Sequence, residues 1–176
     1  VIVSSDKDFF QLLDDTTVLY RPVQKEVMNK NRVTDKFLIH PNNFALARAI
    51  AGDKSDNLPG VGGAGLKTIA KKFPDMCNEE TYTIKRLLSD CEKVENKLKI
   101  HNAIIEKKEL IEKNYKVMQL YTPSISTATS AIIKEHIKNY PKQFARTNIR
   151  KMMIEDGFGE MNWSDLFSSL NKIHRG

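Results

Sequence analysis

The sequence predicts an α/β protein, with a small parallel-sheet core at its N-terminal end passing into a long, mostly helical remainder. Three observations predict it. Val1-Ile2-Val3 is an apolar, β-branched run that reads as a buried strand. Val18-Leu19-Tyr20 and Glu26-Val27-Met28 read as two further short strands. From Asn42 onward the apolar residues recur at three-to-four spacing, the period of a helix with one buried face.

Taken in order, the opening run needs strand neighbours on both sides, and few later segments look able to supply a parallel sheet. The expectation is therefore that residues upstream complete it. Ser5-Asp6-Lys7-Asp8 turns the strand end into a short helix, Phe9-Phe10-Gln11-Leu12-Leu13. The two following strands join through Arg21-Pro22, and polar Asn29-Lys30-Asn31 closes this region. Asn42-Asn43 are placed to cap a helix carrying Phe44, Leu46, Ala47, Ile50 and Ala51, which ends at Gly52. A second helix starts near Gly65, carries Leu66, Ile69, Ala70 and Phe73 on one face, and stops at Pro74. Helices are then expected over Thr83 to Leu88, Leu98 to Leu110, Thr127 to Tyr140, Thr147 to Ile154 and Ser164 to Ile173, with breaks at Pro123 and Pro141. The implied regions are 1–41, 42–74 and 75–176.

Composition narrows the function classes. A net charge of +6 and a pI near 9.2 favour an anionic partner, nucleic acid among them. Cys77 and Cys91 lack a C-x-x-C partner or a histidine at ligand spacing, which argues against zinc and against a disulfide framework, and for a reduced, intracellular setting. No apolar run approaches the roughly 18 residues of a membrane span. His40, His101, His136 and His174 are scattered and read as surface or packing residues.

Three constellations carry chemistry. Asp6 and Asp8 stand just beyond a strand's C-terminal end, where open α/β sheets place ligands, and in extended geometry both face one side. Two such carboxylates suit a hard cation; Ser5 with Asp8 also fits a capping box, and taken alone the cap is favoured. Asp53 and Asp56, at i, i+3, share a face on a helical turn, again as cation ligands or as caps. Between the two helices lies Leu58-Pro59-Gly60-Val61-Gly62-Gly63-Ala64-Gly65-Leu66-Lys67-Thr68, a glycine-rich hairpin whose N–H groups suit phosphate. It lacks the Walker spacing, and a helix rather than a strand precedes it, which excludes the dinucleotide fingerprint. Lys67, Lys71 and Lys72 follow on the new helix. They read either as a solvated face or, beside such a turn, as phosphate contacts.

Together, Ile2-Val3-Ser4-Ser5-Asp6-Lys7-Asp8-Phe9, Gly52-Asp53-Lys54-Ser55-Asp56-Asn57-Leu58-Pro59-Gly60-Val61 and Gly63-Ala64-Gly65 resemble the flap endonuclease and 5′–3′ exonuclease superfamily, which includes the 5′ nuclease domains of bacterial DNA polymerases I. The segment around Tyr115, Ile125 and Ile132-Ile133 is more loosely similar to the ribonuclease H of T-even phages. The resemblance implies the C-terminal part of a PIN-like core joined to a helix-three-turn-helix module. It implies a two-metal centre of magnesium or manganese, with Asp6, Asp8, Asp53 and Asp56 among its ligands. It also implies that Gly60, Val61, Gly62, Gly63, Gly65, Lys67, Thr68, Lys71 and Lys72 form the hairpin and helix start that grip duplex DNA, with potassium bound at the hairpin. The implied activity is cleavage of flapped or nicked DNA, or of RNA–DNA hybrid, during replication, primer removal and repair in a bacterial or phage-infected cytoplasm. A single-strand-binding replication protein is an implied partner. The superfamily's further acidic ligands, its lysine or arginine and its helical arch belong upstream of the segment matched by Val1. The expectation is that this polypeptide alone does not assemble the two-metal centre, and the alternative reading is a non-catalytic fragment that grips DNA.

Overall fold

A computed structural model describes residues 1–122, 124–139 and 145–175, with the backbone alone for 173–175. The breaks expected at Pro123 and Pro141, the helix end at Tyr140, and the side chains of Ile173 and His174 lie outside the described residues. The chain forms two compact units, Val1–Ser124 and Ile125–Gly176.

The first unit is α/β with a small sheet. Strand β1 (Ile2–Val3) pairs in parallel with β2 (Leu19–Arg21), which pairs antiparallel with β3 (Glu26–Met28). The described sheet is therefore mixed rather than parallel, and β1 forms one edge of it. The expected buried run is corrected accordingly: Val1 and Val3 are 87% and 66% exposed, and only Ile2 turns toward the core, as the two-residue period of a strand requires.

A 3-10 helix, Asp8–Leu12, carries Phe10 into the core. The polar tripeptide after β3 does not close the region as expected. Asn29 instead caps helix α1 (Lys30–Phe37), its side-chain oxygen accepting the Arg32 N–H at 2.9 Å. Phe37 from α1 then meets Phe10 and Phe44, with ring centroids 5.3 to 5.6 Å apart.

Helix α2 (Pro41–Ala51) runs through the centre of the unit. Its cap is His40, whose Nδ1 accepts the Asn42 N–H, with Pro41 at the first helical position where its missing N–H costs nothing. The capping expected of Asn42-Asn43 is thus corrected. Asn43 is fully buried: its Nδ2 donates to the carbonyls of Met76, Asn78 and Glu80, and its Oδ1 accepts the Tyr82 N–H at 2.7 Å. One amide so satisfies four backbone groups of a segment with no ladder of its own.

Helix α3 (Leu66–Lys72) keeps its expected span and apolar face, and a 3-10 turn, Pro74–Cys77, follows it. Thr83 caps α4 (Ile84–Lys93). The single helix expected over Leu98 to Leu110 is two, α5 (Lys99–Glu106) and α6 (Lys108–Met118), parted at Lys107. His101 and Ile104 of α5 and Ile111, Asn114 and Met118 of α6 are buried, so the Lys- and Glu-rich stretch has a core face as well as a wet one. Helix α6 packs along α2. Gln11 ties the 3-10 helix to its end, donating to the Met118 carbonyl and accepting the Leu120 N–H.

The second unit holds α7 (Thr127–Asn139), α8 (Arg146–Glu155) and α9 (Trp163–Arg175). Arg146 and Arg150 of α8 lie over the rings of Phe167 and Trp163 of α9. Neither α7 nor α8 buries a residue, and Ile132, Ile133 and Ile137 are exposed. No helix among the described residues is long and apolar enough to cross a membrane.

Candidate functional site

The loop after β1 and the loop after α2 meet around one arginine. Arg48, in the last turn of α2, donates from Nε to Asp8 Oδ1 at 2.9 Å and from Nη2 to Asp53 Oδ2. All three side chains are largely covered, at 12%, 18% and 13% exposure. Burial pushes the Asp8 carboxyl up, with Arg48 pulling the other way. The Ser55 hydroxyl, with its N–H and Arg48, holds Asp53 down at about 2 against its own burial. Burial works against the Arg48 charge, and the two carboxylates more than offset it.

Beside this cluster opens a polar cavity of about 310 Å³ lined by Ser5, Asp6, Lys7, Arg48, Asp53, Ser55 and Asp56. Three of the four expected carboxylates line it. Asp8 is not among the lining residues, because the strand ends at Val3, the chain bends at Ser5 and Asp8 opens the 3-10 helix. The expected same-side pair is corrected: Asp6 Oδ1 accepts the Asp8 N–H at 2.9 Å, while Asp8 turns to Arg48. The Ser5–Asp8 capping box is not formed, since Ser4 Oγ takes the Asp6 N–H and Ser5 Oγ takes that of Val23. Asp53 and Asp56 do share the cavity, through a closed turn rather than a helix. Asp53 and Leu58 exchange both backbone hydrogen bonds at 2.8 Å across it. Arg21 braces the first loop, donating to the Ser5 carbonyl and to Glu26.

The hairpin leads directly out of this turn and has two unlike edges. On the inner edge, Gly60 crosses the end of α2 so closely that a Cβ there would lie 2.1 Å from the Ala51 carbonyl oxygen. A Cβ on Gly52, which holds φ +76°, would lie 2.4 Å from the Gly60 nitrogen. Val61 and Ala64 are buried, and the Val61 N–H is taken by the Ile50 carbonyl at 2.8 Å. Asn114 of α6 donates to the carbonyls of Ala49 and Pro59, fixing both strands of the crossing. On the outer edge Gly62, Gly63 and Gly65 are exposed with open space around them, and Gly63 adopts φ +77°. Lys67 and Lys71, one turn apart, are exposed on the same side of α3.

Of the nine residues expected to contact a ligand at the hairpin, Gly60 and Val61 lie on its inner edge, where the Val61 side chain is buried and its N–H is taken by Ile50, while Gly60 is half-buried. Thr68 is half-buried, its N–H donated to the Gly65 carbonyl. Lys72 is half-buried and lines a separate small cavity with Phe73, Asp75, Tyr82, Asp90 and His101. Sequence reasoning missed Arg48 and Asn114. The signal for Arg48 was a single cation inside the apolar run Phe44 to Ala51, five residues before Asp53. Cys91 is buried, its thiol pushed up to about 11 by desolvation, and Cys77 is half-buried and unpaired.

Chemically the arrangement offers carboxylates on an open cavity, a guanidinium already bound to two of them, and an exposed basic, glycine-rich rim. Among the described residues no three His, Cys, Asp or Glu side chains converge to hold a metal ion. Asp8 and Asp53 as they stand do not fit a divalent ion between them, because that space is taken by Arg48.

No family model matches the chain. It is similar to a 5′–3′ exonuclease of Aquifex aeolicus, 35% identical over 124 residues, which span 69% of this chain and 38% of that protein. A 5′–3′ exonuclease of Buchnera aphidicola is 34% identical over 120 residues, again 38% of its length. The thermostable DNA polymerase I of Thermus aquaticus is 34% identical over 93 residues, 10% of that protein. The chain thus spans under two fifths of these curated relatives. Among solved structures, the 5′-exonuclease of phage T5 with bound zinc superposes with a TM-score of 0.54 at 21% identity, over 66% of this chain and 41% of that one. A T5 flap endonuclease complex with DNA and metal ions gives the same TM-score at 20% identity. The likeness is one of fold: an α/β start followed by helices.

Proposed function

We propose that this chain, a homologue of the 5′–3′ exonucleases over part of their length, serves a structure-specific 5′ nuclease that hydrolyses phosphodiesters of flapped or nicked DNA, or of RNA–DNA hybrid, in replication and primer removal. The single observation that carries the reading is adjacency. The turn bearing Asp53 and Asp56 runs without interruption into the exposed, basic hairpin, so a duplex lying on the rim brings its backbone beside the carboxylate cavity.

The rim glycines have no side chains to read base edges, while Lys67 and Lys71 offer charge to phosphates; in this reading the grip is sequence-independent and salt-sensitive. Residues 42–74 are the gripping module in this reading. Its effect on the reaction is positional, since holding the duplex fixes which phosphate faces the cavity. Magnesium or manganese is the implied cofactor, a divalent ion in such nucleases activating water and stabilising the leaving oxygen. Potassium at the hairpin and a single-strand-binding replication protein as partner are further implications of the same reading. Asp8 and Asp53 are engaged by Arg48 while Asp6 and Asp56 stand on the open cavity wall, and no hydrolytic step follows from these carboxylates alone.

The engagement of Asp8 and Asp53 by Arg48 favours a second reading for the polypeptide: a DNA-gripping part whose cleavage requires further carboxylates. One experiment separates the two. A labelled 5′ flap and a nicked duplex are incubated with this polypeptide in magnesium or EDTA, with Asp8→Ala alongside and binding followed over a salt series. Magnesium-dependent cleavage lost in Asp8→Ala supports a complete nuclease; binding without cleavage supports the gripping part. Absence of binding at low salt contradicts both.

A further inference from the structure

Arg48 has a position that neither capping nor packing explains. Its guanidinium is held from two directions, Nε by Asp8 at the start of the 3-10 helix and Nη2 by Asp53 in the turn after α2, residues 45 positions apart in the chain. The planar fork matches two carboxylates at once, which a lysine ammonium does not do as well. Asp6 and Asp56 stand outside the pair, on the cavity wall. One positive charge therefore binds together the two loops from which a divalent ion would have to draw its ligands.

We propose that Arg48 is a built-in counter-cation, a positioning residue that keeps Asp8 and Asp53 assembled without metal and competes with a divalent ion for their oxygens. The inference rests on the reading of this cavity as part of a metal centre. Its physical basis is simple. A dication approaching Asp53 meets a carboxylate already shared with a guanidinium and feels the repulsion of that cation at contact range. Without Arg48, two poorly solvated carboxylates are left with no partner charge, a state that is costly by itself and is relieved by a bound cation.

The test uses the whole chain and Mn²⁺ alone, followed by electron paramagnetic resonance of the free ion and by thermal unfolding in EDTA. Arg48→Met is expected to bind Mn²⁺ at least about tenfold more tightly than wild type, to melt lower in EDTA, and to recover stability on adding Mn²⁺. Equal or weaker Mn²⁺ binding by Arg48→Met overturns the proposal. If Arg48→Met does not fold in EDTA, Arg48→Gln gives the same answer, since it removes the charge but keeps a hydrogen-bonding amide: tighter Mn²⁺ binding supports competition, unchanged or weaker binding overturns it. Arg48→Met/Asp53→Asn separates the inference from the reading beneath it. Mn²⁺ held equally by that double variant and by Arg48→Met lies elsewhere, which overturns the metal reading of the cavity. Mn²⁺ affinity that is unchanged in Arg48→Met yet lost in Asp53→Asn overturns the role of Arg48 alone.

Discussion

The two edges of the glycine-rich hairpin are built from the same residue type for opposite purposes. On the inner edge glycine is required by close approach, because Gly60 and the last turn of α2 share a space in which a Cβ would meet backbone at 2.1 Å. On the outer edge nothing lies within 4 Å of a Cβ built on Gly62, Gly63 or Gly65, so steric crowding does not explain glycine there. The inner edge holds the fold together, and the outer one is kept clear. A glycine pattern therefore marks a place of close approach without saying whether the neighbour is the protein's own backbone or a ligand.

This comparison can be broken at graded strengths. Gly60→Ala is expected to cost about 3 kcal/mol or more in chemical denaturation, since backbone rather than a flexible side chain must give way. Asn114→Ala strands the carbonyls of Ala49 and Pro59 and should cost about 2 kcal/mol by the same measurement. Gly63→Ala meets no neighbour but must hold φ +77°, so a loss of about 1 kcal/mol is expected. Lys71→Glu on the exposed rim should change stability by less than about 0.5 kcal/mol. A Gly60→Ala as mild as Gly63→Ala would erase the distinction between the edges.

The acid limb of stability sharpens the picture of the neighbouring cavity. Asp53 is held at about 2, below its ordinary value of 3.8, so it contributes stability that is fully present above pH 4 and is lost as pH falls toward 2. Asp8 is raised by burial and carries the opposite sign, favouring the folded state as it takes up its proton. Asp53→Asn should flatten the fall in melting temperature between pH 4 and pH 2, whereas Asp8→Asn should not.

Much of this was legible in the sequence. The apolar period located α2 and α3, Gly52 and Pro74 marked where they end, and the paired carboxylates with the hairpin pointed to one locality that the fold does assemble. What escaped was set by contacts distant in the chain. Asn43 reads locally as a cap, yet it serves carbonyls more than thirty residues away; Arg48 reads as a stray charge in an apolar helix until Asp8 folds against it. Helix α1 was missed because Asn29-Lys30-Asn31 resembles a turn, and only the Arg32 N–H seeking an acceptor reveals Asn29 as a cap. The exposure of Val1 and Val3 was not legible because β-branching marks a strand and says nothing of which of its faces is covered.

The most direct test of the account is the affinity of a fluorescein-labelled nicked duplex for wild type and for Lys67→Glu/Lys71→Glu, measured by anisotropy over a salt series. The variant is expected to bind more weakly, with a salt slope shallower by about one for each lost phosphate contact and the melting temperature unchanged. An unchanged affinity and slope would contradict it, because the outer edge of the hairpin would then not be where this chain meets DNA.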